Sequence, residues 1–120
     1  MSPPQLIART RTFALAAVRF YSDLPRDTAA QVLGKQLLRS ATSVGAQYRE
    51  AQRAKSLSDF ISKAEGALQE ADEAVYWLEL IEGSGVNNDG SVKVLRAEAE
   101  QLVAIFVAIT RNAKVTRQGG

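Results

Sequence analysis

The chain has 120 residues, enough for one domain with its own core and too few for two. It is 46% hydrophobic and 23% charged, an ordinary balance for a globular protein, and its net charge is only +2. It has no cysteine and no histidine, which excludes disulfides, thiolate nucleophiles, Cys-ligated zinc or iron–sulfur sites, Ser-His-Asp triads and His-ligated haem or di-iron centres.

The first predicted helix runs from about Pro4 to Tyr21. Leu6, Phe13, Ala17, Phe20 and Leu24 form one apolar stripe, and Ile7, Ala14, Val18 and Tyr21 form a second beside it. Pro3 and Pro4 suit a helix start, and Asp23-Leu24-Pro25 breaks the pattern. The second helix is expected over 27–53, with Ala30, Leu33, Leu37, Ala41, Val44, Tyr48 and Ala51 on one face. Its small residues Ser40, Ser43, Gly45 and Ala46 predict close helix packing or a kink. The third helix is expected over 56–82. Ser56 and Asp59 have the spacing of a capping box, and Gly83 suits a left-handed helix end. The fourth is expected over 89–114, with Val92, Leu95, Ala99, Leu102, Phe106 and Ile109 in register, and with Thr116–Gly120 frayed. Val103, Ala104, Val107 and Ala108 carry its apolarity around the far side. Together with Phe13 and Phe20, this excess predicts a contact between subunits. The expected fold is all-α: a single antiparallel up-down-up-down four-helix bundle over 1–120.

No apolar run reaches about 18 residues, so no membrane span is expected. Met1–Gln5 lacks the basic and apolar regions of a signal peptide, which fits the cytoplasm.

The small net charge hides a strong segregation. Residues 1–55 carry nine basic and three acidic side chains, a balance of +6, while residues 56–82 carry one and seven, a balance of −6. Residues 83–110 sum to −1, and the last ten add +3. One reading is complementarity between neighbouring helices or subunits. The other is a basic face for phosphates, carried by Arg9, Arg11, Arg39, Arg49, Arg53 and Lys55.

The middle of the chain contains Gln36-Leu37-Leu38-Arg39, Ser43-Val44-Gly45-Ala46-Gln47, Glu50-Ala51, Ser56, Asp59-Phe60-Ile61, Glu70-Ala71-Asp72-Glu73 and Tyr76-Trp77-Leu78. This series resembles the bacterial four-helix-bundle family of 23S rRNA intervening-sequence proteins, many of them encoded inside insertions in large-subunit ribosomal RNA genes. A related branch is the accessory protein of diversity-generating retroelements, which works with a reverse transcriptase and its RNA. The resemblance is carried by helices two and three, and by pattern only in helices one and four. It departs at Gln47, where the family usually has Asn. It implies a ring-shaped homopentamer with a central channel, and RNA or DNA as the ligand usually proposed.

Arg39 has two readings: an ion pair with Glu70 or Glu73 of the third helix, or a phosphate contact. Tyr76 and Trp77 read as core or interface anchors. Glu70, Asp72 and Glu73 lack the ligand company of a metal site, and no phosphate-cradling loop or nucleophile accompanies them. No metal, cofactor or enzymatic activity is expected. Two functions remain. One is a nucleic-acid-associated accessory protein that binds RNA or DNA phosphates through helices one and two of an oligomer. The other is a structural scaffold for a protein partner such as a reverse transcriptase.

Overall fold

The first helix, α1 (Pro3–Ser22), is opened by Ser2. The Ser2 hydroxyl accepts from the Gln5 N–H at 3.3 Å, and the Gln5 side-chain oxygen accepts from the Ser2 N–H at 2.8 Å. This reciprocal box satisfies two donors that a helix start leaves bare, and Pro3 and Pro4 bring none of their own. In the computed structural model, which describes residues 1–119, three more helices follow: α2 (Thr28–Gln52), α3 (Leu57–Ser84) and α4 (Ser91–Gly119). There is no strand among the described residues. Asp27 caps α2 through the Ala30 N–H. Ser56 caps α3 through the Asp59 N–H at 3.0 Å, while the Asp59 carboxylate accepts from Lys55, one residue before the position a capping box would use.

Two helix ends differ from the sequence expectation. Gly83 lies inside α3, and the left-handed cap is Gly85, with φ of 77°. Buried Ile81 and the Glu82 carboxylate, which holds Arg96 and Lys93 of α4, tie this turn to the neighbouring helix and carry α3 further. The expected frayed tail is helical from Thr116 to Gly119, and Gly120 lies outside the described residues. Lys114 reaches Glu65 of α3 at 2.6 Å, and the Thr116 hydroxyl donates to the Asn112 carbonyl.

The helix pairs in contact are α1–α2, α2–α3, α3–α4 and α1–α4. The α2–α3 seam is the most extensive and α1–α4 the least. Small side chains explain the first. Ala64, Ala67, Ala71 and Ala74 form a wholly buried stripe on α3, and a Cβ at Gly66 would stand 2.8 Å from the Gln47 side chain of α2. Gly45 meets Thr10 of α1 in the same way, so it serves close packing rather than a kink. Partners rise in number along one helix as they fall along the next: Arg39 meets Glu70 and Glu73, and Gln47 meets Gly66. The core is filled by Phe13, Leu37, Val44, Leu78, Ile81, Leu102 and Phe106, with Tyr48 packed edge-on against Phe106.

The core also takes up two of the aromatics expected at a subunit contact. Phe13 and Phe20 are 1% and 8% exposed, so they belong to the bundle interior and offer nothing to a neighbour. Val103 and Val107 are half-buried on the α3–α4 seam. Tyr76 is 54% exposed rather than anchored in the core. Trp77 is half-buried beside it, and its buried indole N–H has no partner among the described residues.

Candidate nucleic-acid interface

The acids of α3 and α4 decide which basic side chains remain available. Arg9 of α1 makes a bidentate pair with Glu98 of α4, at 2.8 and 2.7 Å, and donates to Gln101 at 2.6 Å. The hydrogen bond to Glu98 raises the Arg9 pKa further, against the opposing effect of burial. Arg39 bridges Glu73 at 2.9 Å and Glu70 at 3.4 Å, its side chain half-exposed above the α2–α3 seam. Both guanidinium groups therefore have their charge answered within the chain. A phosphate at either would have to displace a carboxylate, which leaves little net gain.

Arg11, Arg49, Arg53 and Lys55 are exposed and make no ion pair among the described residues. Helical spacing places them. Thr42, Gly45, Ala46 and Arg49 turn toward α1, where Ile7, Thr10, Arg11 and Ala14 complete a groove of about 240 Å³. Its floor is small and apolar, and Arg11 and Arg49 stand on its two sides. Arg53 caps the end of α2 one turn beyond Arg49 and shares a second shallow depression with Ala46, Arg49 and Glu50. Lys55 follows in the short link to α3. Arg11, Arg49, Arg53 and Lys55 thus keep their charge unanswered along and just beyond the α1–α2 seam, and Arg19, Arg26 and Lys35 are exposed and unpaired among the described residues as well. Arg49 and Arg53 also face the carbonyl end of α2, whose partial negative charge favours them there.

Arg111 and Arg117 on the last turns of α4 are exposed and unpaired among the described residues as well. The +3 of the final ten residues is their signal in the sequence, and the expectation of a frayed tail hides it. No group of three or more His, Cys, Asp or Glu side chains could hold a metal ion among the described residues. No helix among the described residues is long and apolar enough to cross a membrane.

The model of the 23S rRNA-intervening sequence protein family matches residues 5–108. The chain belongs to this family. The match covers all but the first two residues of α1, all of α2 and α3 and most of α4, so it includes every candidate residue named above as far as residue 108. A crystal structure of a protein with unknown function from the S23 ribosomal protein family, from Bacteroides thetaiotaomicron VPI-5482, is similar to this chain. It has a TM-score of 0.84 at 32% identity, over 92% of this chain and 99% of that one. No functionally curated protein matches the chain.

Proposed function

We propose that this family member is a non-enzymatic, nucleic-acid-associated accessory protein of the cytoplasm, an up-down-up-down bundle that acts as a homo-oligomer. The family resemblance favours five copies in a ring. The observation that carries the reading is the strip of Arg11, Arg49, Arg53 and Lys55, basic residues without acidic partners beside a groove with a small apolar floor. A strip of this kind attracts phosphates irrespective of base sequence, and the family name ties such proteins to ribosomal RNA insertions. Repetition of the strip in an oligomer raises a weak contact through avidity.

A scaffold for a protein partner is the second reading. It is favoured by the α3–α4 groove with Val103 and Val107 at its floor, and by exposed Tyr76 on α3. Titration of a labelled single-stranded RNA at low and moderate salt separates the two. Under the first reading Arg49→Ala/Arg53→Ala lowers affinity by about tenfold or more, and reduces the slope of log affinity against log salt by about 0.7 for each phosphate no longer neutralised. Absence of binding at low salt, or binding indifferent to both salt and the substitutions, leaves the scaffold.

A further inference from the structure

The sequence divides its charge by helix, and folding divides it again by end. Thr10 of α1 meets Gly45 of α2, Gln47 of α2 meets Gly66 of α3, and Glu65 of α3 holds Lys114 of α4. The first half of α1, the second half of α2, the first half of α3 and the second half of α4 therefore share one end of a molecule 52 Å long. Tyr21 against Gly34, Arg39 against Glu73 and Arg96 against Glu82 mark the other end in the same way.

Residues 1–12, 41–69 and 106–119, which make up the first end, carry nine basic and three acidic side chains, a balance of +6. Residues 13–40 and 70–105 carry six and ten, a balance of −4. Ion pairs hardly blunt this contrast. Arg9–Glu98 is the one pair among the described residues that joins the two ends. With every paired side chain set aside, the first end keeps seven basic residues against Glu50 and Asp59, and the second keeps three against five acids. The Asp59 carboxylate is already engaged by the Lys55 N–H.

We infer that the nucleic acid of the reading above crosses this basic end of the bundle, and that Arg111 and Arg117 of α4 are phosphate contacts together with Arg49, Arg53 and Lys55. The inference rests on that reading and carries its surface from the α1–α2 side to α4.

The layout of the helices favours a crossing. α2 and α4 are not among the helix pairs in contact, so they occupy opposite corners of the bundle. Packed neighbours have axes about 8–10 Å apart, which puts opposite corners about 13 Å apart. Arg53 caps α2 at one corner, and Arg117 lies in the last turn of α4 at the other. Arg111, Lys114 and Arg117 follow one another at spacings of three, so they share one side of α4. Lys114 answers Glu65, and the two exposed arginines on either side of it make no ion pair among the described residues. A cation near the carbonyl end of a helix also complements its dipole, but that effect falls off within the last turn. It accounts for Arg117 and not for Arg111, two turns before the end of α4. Both arginines lie beyond residue 108, where the family match ends, so the family likeness does not supply them. At moderate salt charges are screened over about 8–10 Å, so the acids of the far end do not cancel the field at this one.

The test is fluorescence anisotropy of a short labelled oligouridylate at low and moderate salt, with circular-dichroism melts to verify that each variant folds. Arg111→Gln/Arg117→Gln removes two charges from the basic end, and Arg19→Gln/Arg26→Gln removes two from the other. All four positions are exposed. The first pair lowers affinity by about tenfold or more and reduces the slope of log affinity against log salt by about 1.4, because each neutralised phosphate contributes about 0.7. The second pair, screened by its distance, changes affinity by less than about twofold. Arg111→Lys/Arg117→Lys stays within about threefold of wild type, because Lys still neutralises a phosphate as a point charge. Equal losses from the two glutamine pairs would assign the effect to net charge rather than to one end, and overturn the inference. A lysine pair as weak as its glutamine counterpart overturns it too. Full affinity in Arg111→Gln/Arg117→Gln beside a loss in Arg49→Ala/Arg53→Ala overturns it while leaving the nucleic-acid reading standing. No binding by wild type at low salt fails that reading, and this inference with it.

Discussion

At the scale of single residues, what decides a charge's role is its neighbour, and neighbours come from the fold. Arg9 and Glu98 lie 89 positions apart, and no spacing rule connects them. Arg39 and the Glu70/Glu73 pair sit on consecutive helices, so their meeting was readable from helix order. The unpaired basic residues Arg11, Arg49, Arg53 and Lys55 belong to a remainder visible only after the pairs are removed. Exposure follows the same logic. Phe13 and Tyr76 are both large aromatics, but the period of α1 aims Phe13 at the core while Tyr76, two residues from both Ala74 and Leu78, lies on the side of α3 away from its buried face. Tyr48 shows what burial does to chemistry. It is 3% exposed, and burial alone raises its phenol pKa above the ordinary value. The unfolded chain therefore releases this proton first, near pH 10. The contribution of Tyr48 to stability is present in full below that value and is lost as pH rises through the higher, folded one. Denaturant unfolding measured between about pH 8 and pH 11 shows declining stability for wild type. The decline is smaller in Tyr48→Phe, and an equal decline in the two proteins would assign it elsewhere.

At the scale of elements, four helices and their order were legible because each carries an apolar period of 3.6 and is separated from the next by breakers. Their ends were less so, because tertiary contacts extend helices past local stop signals. The two glycines after α3's last buried turn make this measurable. Gly83 is helical and a Cβ there would meet nothing within 4 Å. Gly85 is the left-handed cap, with φ of 77°. Gly83→Ala therefore gains helix propensity and stabilises the protein by up to about 1 kcal/mol. Gly85→Ala forces a Cβ into the left-handed region and destabilises it by about 1 kcal/mol. If the helix ended in a left-handed Gly83, Gly83→Ala would destabilise instead, so a thermal or urea melt of that variant decides the matter. The capping of α1 by Ser2 and Gln5 is present in the sequence as Ser-x-x-Gln, and the two prolines between them mask it by offering a helix-start signal of their own.

At the scale of the whole molecule, the four helices do not hold one another equally. The α2–α3 and α3–α4 seams are extensive, the α1–α2 seam is smaller, and α1 barely touches α4. Three helices thus form the cooperative centre, and α1 lies against it along one well-packed side. Elements with a smaller packed surface open at lower free energy than the global transition. Hydrogen exchange should accordingly show α1 amides exchanging before those in the middle of α2 and α3, even though Leu6, Phe13 and Ala17 are fully buried. The Arg9–Glu98 pair is the main polar tie across the weak seam, and both side chains are about one-third exposed, at 27% and 30%. Its bidentate geometry places it near the upper end for partly exposed pairs, about 1 kcal/mol. Glu98→Gln keeps the shape and removes the charge. Because 1 kcal/mol corresponds to about a fivefold change in an opening equilibrium, exchange through every opening that breaks the pair, that of α1 alone or of the whole bundle, should accelerate by about fivefold in this variant, with α1 amides still exchanging before the centres of α2 and α3. Protection of α1 equal to that of the centres of α2 and α3 would mean that α1 opens only with the whole bundle. The consequence reaches the surface described above. Arg11 rides on α1, whereas Arg49 and Arg53 ride on α2, so a loosened α1 disperses one wall of the basic groove without unfolding the protein. That open form is a small fraction of the molecules, however, so Glu98→Gln should strengthen RNA binding at moderate salt, because it removes an acid and frees the Arg9 guanidinium for phosphate.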